Sequence, residues 1–283
     1  MRSLILIALL AGTTMACTAS NQSAGAETAA ASAAAASIDT VLNSPIRGAD
    51  SARDRYRHPK ETLAFFQVKP DMVVAEYAAD AGWYSKILAP LLADRGRYVA
   101  LGVSPVATSF SADRKAALTA FPNTYPARAA TATGIAADRI AAYSTASVPA
   151  GMKGKVDRVL IFRMLHNMNR WGILGSELDA MHALLADDGM IGVEQHRAKA
   201  NAPATYVDGS KGYLKEADVI AMFEKHGFEL AGKSEINANP NDTADYPNGV
   251  WTLPPNYALK DQDKAKYAAI GESDRMTLLF RKK

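Results

Sequence analysis

"VVAEYAADAGWYSKIL", residues 73–88, is the stretch on which the fold turns. Val73 to Tyr77 is an apolar, partly β-branched run with the composition of a buried strand. Small and polar residues follow up to Gly82, and they read as a short turn. From Gly82 the segment "GWYSKILAPLLAD" (82–94) has the apolar spacing of an amphipathic helix. A strand that enters a helix through a tight turn is the unit of a parallel sheet, and ligands sit outside the carboxyl ends of such strands.

The same alternation extends in both directions. Residues 38–66 read as helical, with an interruption near Pro59, which can open a new helix at its first turn. "GRYVALGVS" (96–104) is a second strand and "SADRKAALTAF" (111–121) a helix. Residues 122–133 are expected to hold a short strand and 134–143 a short helix. "KVDRVLIFRML" (155–165) is a strongly apolar strand. "SELDAMHALLADDG" (176–189) has a Ser cap and a Gly stop, which predict a helix, and "MIGVEQH" (190–196) a further strand. "KEADVIAMFEKHGFELAGKSEI" (215–236) is a helix ending at Gly227 and then a strand; "DRMTLLFRK" (274–282) is the last strand. Strands separated by helices predict an α/β, doubly wound sheet, and the last two strands, with no evident helix between them, predict a terminal antiparallel pair.

The chain has 283 residues, a formal charge of +3 and 22% charged residues. Its basic residues are scattered, so nucleic acid and anionic lipid are not expected as partners, and a small-molecule ligand is. "MRSLILIALLAGTTMAC" carries Arg2, an apolar stretch from Leu4 to Ala11 too short to span a bilayer, and Ala16 before Cys17. This reads as an export signal with Cys17 as a lipidation site, although Thr14 stands where Leu is usual. Residues 18–37 are Ala/Ser-rich and read as a tether, leaving 38–283 as the folded domain. The expected location is the periplasm or an outer membrane, anchored only through that N-terminus. Cys17 is the only cysteine, which excludes a thiol nucleophile or cysteine metal site in the domain.

From about residue 50 onward the chain resembles the exported class I S-adenosylmethionine (SAM)-dependent methyltransferase family. The stretches that carry the resemblance are "GWYSKILAPLL", "DRVLIFRMLHNM", "GVEQHRA", "GYLKEADVIAMFEKHGFEL", "KSEINANPNDTADYPNGVWTLPP" and "AIGESDRMTLLF". The resemblance implies a Rossmann-like sheet of seven strands. It also implies an acid at the end of the first strand, matched by Glu76, followed by three glycines, of which only Gly82 is present; Ala78 and Asp80 occupy the other two places. The second strand would end in an acid that grips the ribose, and Gly102 falls there. Losing two charge-assisted hydrogen bonds costs about 1.5–3 kcal/mol each. Asp80 would also face the donor's own carboxylate, although a plain helix-capping role is its simpler reading. If SAM binds, Glu76 and Gly82 are the expected contacts.

Several reactive side chains fall at the strand ends. Asp80, His166, Glu194 and His196 are expected proton carriers; Arg163 and Arg197 are expected to hold a phenolate or carboxylate, unless Glu194 and Arg197 pair with each other. Trp83, Tyr84 and Trp251 are expected to line the substrate, within a wider group of loop aromatics that includes Tyr77, Trp171, Tyr213, Tyr246 and Tyr257. No tight metal-ligand motif is present. The long segment 237–270 reads as a lid or pocket wall. The altered turn and the cytoplasmic origin of SAM lead to an expectation of a cofactor-free enzyme, a lyase or isomerase acting by acid–base chemistry on a small aromatic compound. The alternatives are a SAM-dependent methyltransferase of a small molecule and a non-catalytic ligand-binding protein.

Overall fold

A computed structural model describes residues 38–283. The signal segment, Cys17 and the tether fall outside the described residues. Seven strands form one sheet in the order β3-β2-β1-β4-β5-β7-β6. They are β1 (Val73–Tyr77), β2 (Arg97–Gly102), β3 (Ile140–Ser144), β4 (Val156–Phe162), β5 (Leu185–His196), β6 (Phe228–Ser234) and β7 (Arg275–Lys282). β1 to β5 are parallel, and β7 runs antiparallel to both β5 and β6.

The helices are α1 (Asp54–Arg57), α2 (Pro59–Phe65), α3 (Ser85–Leu92), α4 (Ala112–Thr133), α5 (Leu165–Arg170), α6 (Leu174–Leu184), α7 (Glu216–Lys225) and α8 (Lys264–Ile270). Two apolar layers flank the sheet. One gathers Ala75, Val99, Val159 and Ile161 with Leu178 and Met181 of α6; the other gathers Val74, Ala100 and Leu160 with Ile87 and Leu88 of α3. The division follows from the period of two along each strand. Each of these aliphatic side chains of Val size or larger, when fully buried, stabilises the fold by about 1.5–3 kcal/mol. In β1 the same alternation sends Glu76 toward α3 and Tyr77 toward α6.

Three boundaries differ from the sequence expectation. Residues 122–133 are not a strand, because α4 runs unbroken from Ala112 to Thr133 with Pro122 and Pro126 inside it. These prolines stand four residues apart, on one side of the helix, and both are only partly buried. The Ala-rich stretch stays helical and ends at Gly134, which takes the left-handed conformation (φ 74°). Residues 134–143, expected to be a short helix, hold instead a 3-10 turn and the start of β3. Gly189 does not stop a helix: α6 ends at Leu184, and 185–196 pair with β4 and β7 as a single long strand. The interval before β7 also contains α8, where no helix was evident.

Candidate active site

Strand order reverses between β1 and β4. The chain leaves β1 toward β2 on one side and later returns through β4 on the other. A crevice is expected outside the carboxyl ends at such a point, and a cavity of about 570 Å³ opens there. Its walls come from the β1–α3 turn, the end of β4 with α5, the arm 50–57, the segment 250–256 and the residues just before β7.

The turn after β1 is built without the glycines of the family pattern. Ala78 (φ 53°) and Ala81 (φ 62°) both take the left-handed conformation, which costs a non-glycine residue roughly 1–2 kcal/mol. Two bonds hold it: Ala78 N–H donates to Leu101 O (2.7 Å), and Gly82 N–H donates to Asp80 Oδ1 (2.7 Å). A Cβ on Gly82 would lie 2.4 Å from Asp80 Oδ1. Gly82 is therefore glycine because the Asp80 carboxylate folds over it. Asp80 is exposed at the cavity mouth; its carboxylate closes the turn and does not cap α3, whose N-cap residue, Tyr84, makes no side-chain capping bond.

Glu76 is buried. It accepts from Ser85 Oγ (2.8 Å) and Tyr98 Oη (2.6 Å). Burial pushes its carboxyl up to about 7, against the pull of those two hydrogen bonds. At β2, a Cβ on Gly102 would meet Phe121 Cδ1 at 2.5 Å. The Phe121 ring thus lies against the strand end where the family pattern has a carboxylate.

The cavity floor is a charge cluster. Glu194 is completely buried and lies between Arg163 Nη1 (3.0 Å) and Arg275 Nε (3.1 Å), and it accepts from Tyr84 Oη (2.9 Å). Burial opposes its charge, but Arg163, Arg275 and Arg57 outweigh burial and hold its carboxyl below the usual range. Glu272 receives Arg53 (2.7 Å), Arg57 (3.1 Å) and Arg275 (2.7 Å). Despite its burial, these cations pull its carboxyl down to about 2. Tyr84 stacks on Phe162 at 3.3 Å between ring centroids, and Trp83 lies under Arg57 at 4.8 Å.

His166 and His196 stand side by side on the wall, with ring centroids 5.7 Å apart. Burial, with some opposition from the hydrogen bond to Gln195, pulls His166 down to about 4. The Gln195 amide donates to Gly212 O (2.8 Å), so its oxygen faces His166 Nδ1 at 3.4 Å. His196 Nδ1 pairs with Ser273 Oγ (2.6 Å), and burial followed by the His166 neighbour drives its pKa well below normal. Both rings are neutral at pH 7. Trp251 meets His166 edge to face at 5.9 Å.

The structure therefore brings Asp80, His166, His196, Arg163, Trp83, Tyr84 and Trp251 to one cavity, with Glu76 and Gly82 on the turn. It does not bring Arg197 there. That guanidinium binds Glu235 (2.6 Å), Asp274 (3.0 Å) and Glu216 (3.4 Å) away from the cavity, so the Glu194–Arg197 pair does not form. Glu194 is not among the residues that line the cavity; it lies beneath the floor, paired with Arg163 and Arg275. Trp171 packs on Phe110 and Arg114, and Tyr213 is buried against Tyr206 and Asp242; neither lines the cavity. Sequence reading missed Arg53, Arg57, Glu272 and Ser273. The run "RDRYRH" (53–58) placed beside "GESDR" (271–275) was the available signal, but 200 residues separate them. Among the described residues, no group of three or more His, Cys, Asp or Glu side chains is arranged to hold a metal.

No family model matches the chain, and no curated protein matches it in sequence. Solved structures do. A SAM-dependent methyltransferase from Aquifex aeolicus superposes with a TM-score of 0.50 at 12% identity, over 88% of this chain and 98% of that one. A proposed sarcosine dimethylglycine methyltransferase from Galdieria sulphuraria superposes with a TM-score of 0.50 at 12% identity, over 80% and 84% of the two chains. The fold is that of the class I methyltransferases. This finding corrects the expectation of a SAM-independent lyase or isomerase without cofactor: the neighbours are methyltransferases, and they favour the SAM-dependent alternative.

Proposed function

We propose that this protein is a SAM-dependent methyltransferase that modifies a small molecule held in the cavity over β1 and β4. The observation that supports this reading is the cavity itself, placed at the point where strand order reverses and bounded by the strained turn after β1. SAM supplies, when bound, a methyl group on a sulfonium that a nucleophile can take. Its amino-acid end fits the β1–α3 turn, where Glu76 and Asp80 offer carboxyl groups for the ammonium. Its nucleoside end would lie toward Gly102, which Phe121 backs and where β2 offers no carboxylate for the ribose.

The chain's own residues suit an acceptor that needs orientation more than strong base chemistry. An imidazole with a pKa near 4 accepts a hydrogen bond but is a weak base. His166 would thus aim an acceptor's O–H or N–H, and Trp251 would cover the ring or chain that carries it. Calorimetric titration with S-adenosylhomocysteine tests the reading, together with mass detection of a product heavier by one methyl group. Micromolar binding supports it; absent or millimolar binding ends it. We also propose export and lipid attachment at Cys17 on the basis of the N-terminal pattern, which requires a donor supply on that side of the membrane. Loss of acyl incorporation in a Cys17→Ser variant checks this.

A further inference from the structure

Four guanidiniums, from Arg53, Arg57, Arg163 and Arg275, surround only two carboxylates, Glu194 and Glu272. The cluster therefore carries an excess of two positive charges beside a cavity. Other acids near it do not supply the balance. Asp50 is engaged by Lys86 at 2.6 Å, Asp80 stands exposed at the cavity mouth and folds over Gly82, and burial lifts the Glu76 carboxyl to about 7, so that it is only partly charged at pH 7. The neighbouring imidazoles of His166 and His196 carry no charge at pH 7.

Arg275 is consumed within the protein, by Glu272, Glu194 and the Tyr56 carbonyl. Arg57 and Arg163 are not. Among the described residues, Arg57 donates from its side chain only through Nε to Glu272, and Arg163 only through Nη1 to Glu194. Both line the cavity. Arg57 is backed by the Trp83 ring, and Arg163 lies 6.0 Å from the Tyr84 ring. Arg163 follows β4 in the left-handed conformation (φ 57°), with its N–H donating to Glu194 O at 2.6 Å. A buried fork and a half-buried one, both with unused donors, are a common means of gripping a planar oxyanion. Glu194 and Glu272 offset part of the repulsion between them, and an arriving anion would offset the rest.

We infer that Arg57 and Arg163 form a carboxylate-binding site on the cavity floor, and that the acceptor substrate is a small molecule carrying a carboxylate. This rests on the proposed methyl transfer for the word acceptor, but the anion site stands without it. The neutral wall of His166 and Trp251 then faces the rest of that molecule. A carboxylate could also come from the amino-acid end of the methyl donor, and the experiment separates the two sources.

The test titrates the full folded chain with benzoate and with its uncharged isostere benzamide, by calorimetry and by thermal shift. Benzoate is expected to bind and raise the melting temperature, and benzamide to bind roughly tenfold or more weakly, as loss of one charge-assisted hydrogen bond requires. This comparison needs no variant. Arg57→Lys and Arg163→Lys, which keep the charge and lose the fork, are each expected to weaken benzoate about tenfold while S-adenosylhomocysteine changes less than twofold. Equal binding of benzoate and benzamide, or no benzoate binding, overturns the site. A parallel loss of S-adenosylhomocysteine affinity in both variants also overturns the proposal, because the forks then hold the donor. Benzoate binding without any S-adenosylhomocysteine binding keeps the anion site and removes the methyl-transfer reading.

Discussion

Replacing Glu194 by Gln tests the charge cluster most directly. The change keeps the shape of the side chain and the partnership with Tyr84, and removes one negative charge from a completely buried position between Arg163 and Arg275. Breaking one side of a buried ion pair costs about 3–5 kcal/mol, chiefly because the remaining charge stays buried without compensation. Here the excess of positive charge would rise from two to three, so the upper part of that range applies. A domain of this size loses about 2–4 °C of melting temperature per kcal/mol. At about 4–5 kcal/mol the variant should therefore melt about 8–20 °C lower by calorimetry or circular dichroism. Glu235→Gln is the control. It removes an acid whose side chain is 66% exposed and which pairs with Arg197 at the surface, where about 1 kcal/mol or less is at stake. If Glu194→Gln melted within about 2 °C of the parent, or no lower than Glu235→Gln, the buried network would not be what holds the floor.

Other outcomes follow from single contacts. Gly102→Ala drives a methyl group into Phe121 and should cost about 1–3 kcal/mol in urea unfolding, with Gly102→Ala and Phe121→Ala together costing less than their sum. Glu76 has a folded pKa raised to about 7 from 4.5, so its contribution to stability is full below about 4.5 and is lost as pH rises through 7. The stability of the parent relative to Glu76→Gln should accordingly fall by about 3 kcal/mol between pH 4.5 and 8. His166 has the opposite sign: with a folded pKa lowered to about 4 from 6.5, its contribution is present above 6.5 and lost as pH falls through 4. Denaturant titrations from pH 4 to 7 should show that the stability of the parent relative to His166→Asn rises with pH.

The sheet was legible because its strands are short apolar runs between helical patterns, and six of the seven strands were anticipated near their observed places; β3 was read as helix. The misreadings were local. Residues 122–133 were expected to hold a strand, yet the Ala-rich helix runs through them and tolerates Pro122 and Pro126 on one side. Gly189 looked like a stop, yet it lies within a strand paired on both edges. The site was legible where residues stand at strand ends or on loops: Glu76, Asp80 and Gly82 share a turn, Arg163 and His166 follow one strand, and His196 and Trp251 were also expected there. Its charge balance was not, because counter-ions come from anywhere in the chain. Glu194 and Arg197 are three residues apart and do not meet, whereas Arg57 and Glu272 lie 215 positions apart and do. Asp80 illustrates the remaining error. A carboxylate beside a ligand turn looked like chemistry, and the backbone N–H of Gly82 claims it instead.

The arm before β1 and the start of β7 meet at the cluster. Arg53 and Arg57 come from the first, Glu272 and Arg275 from the second. β7 inserts between β5 and β6, and in doing so brings its acid to the arginines of the arm. Closure of the ligand floor and insertion of that strand are thus a single event, and a chain lacking β7 would lose the floor along with the antiparallel edge of its sheet.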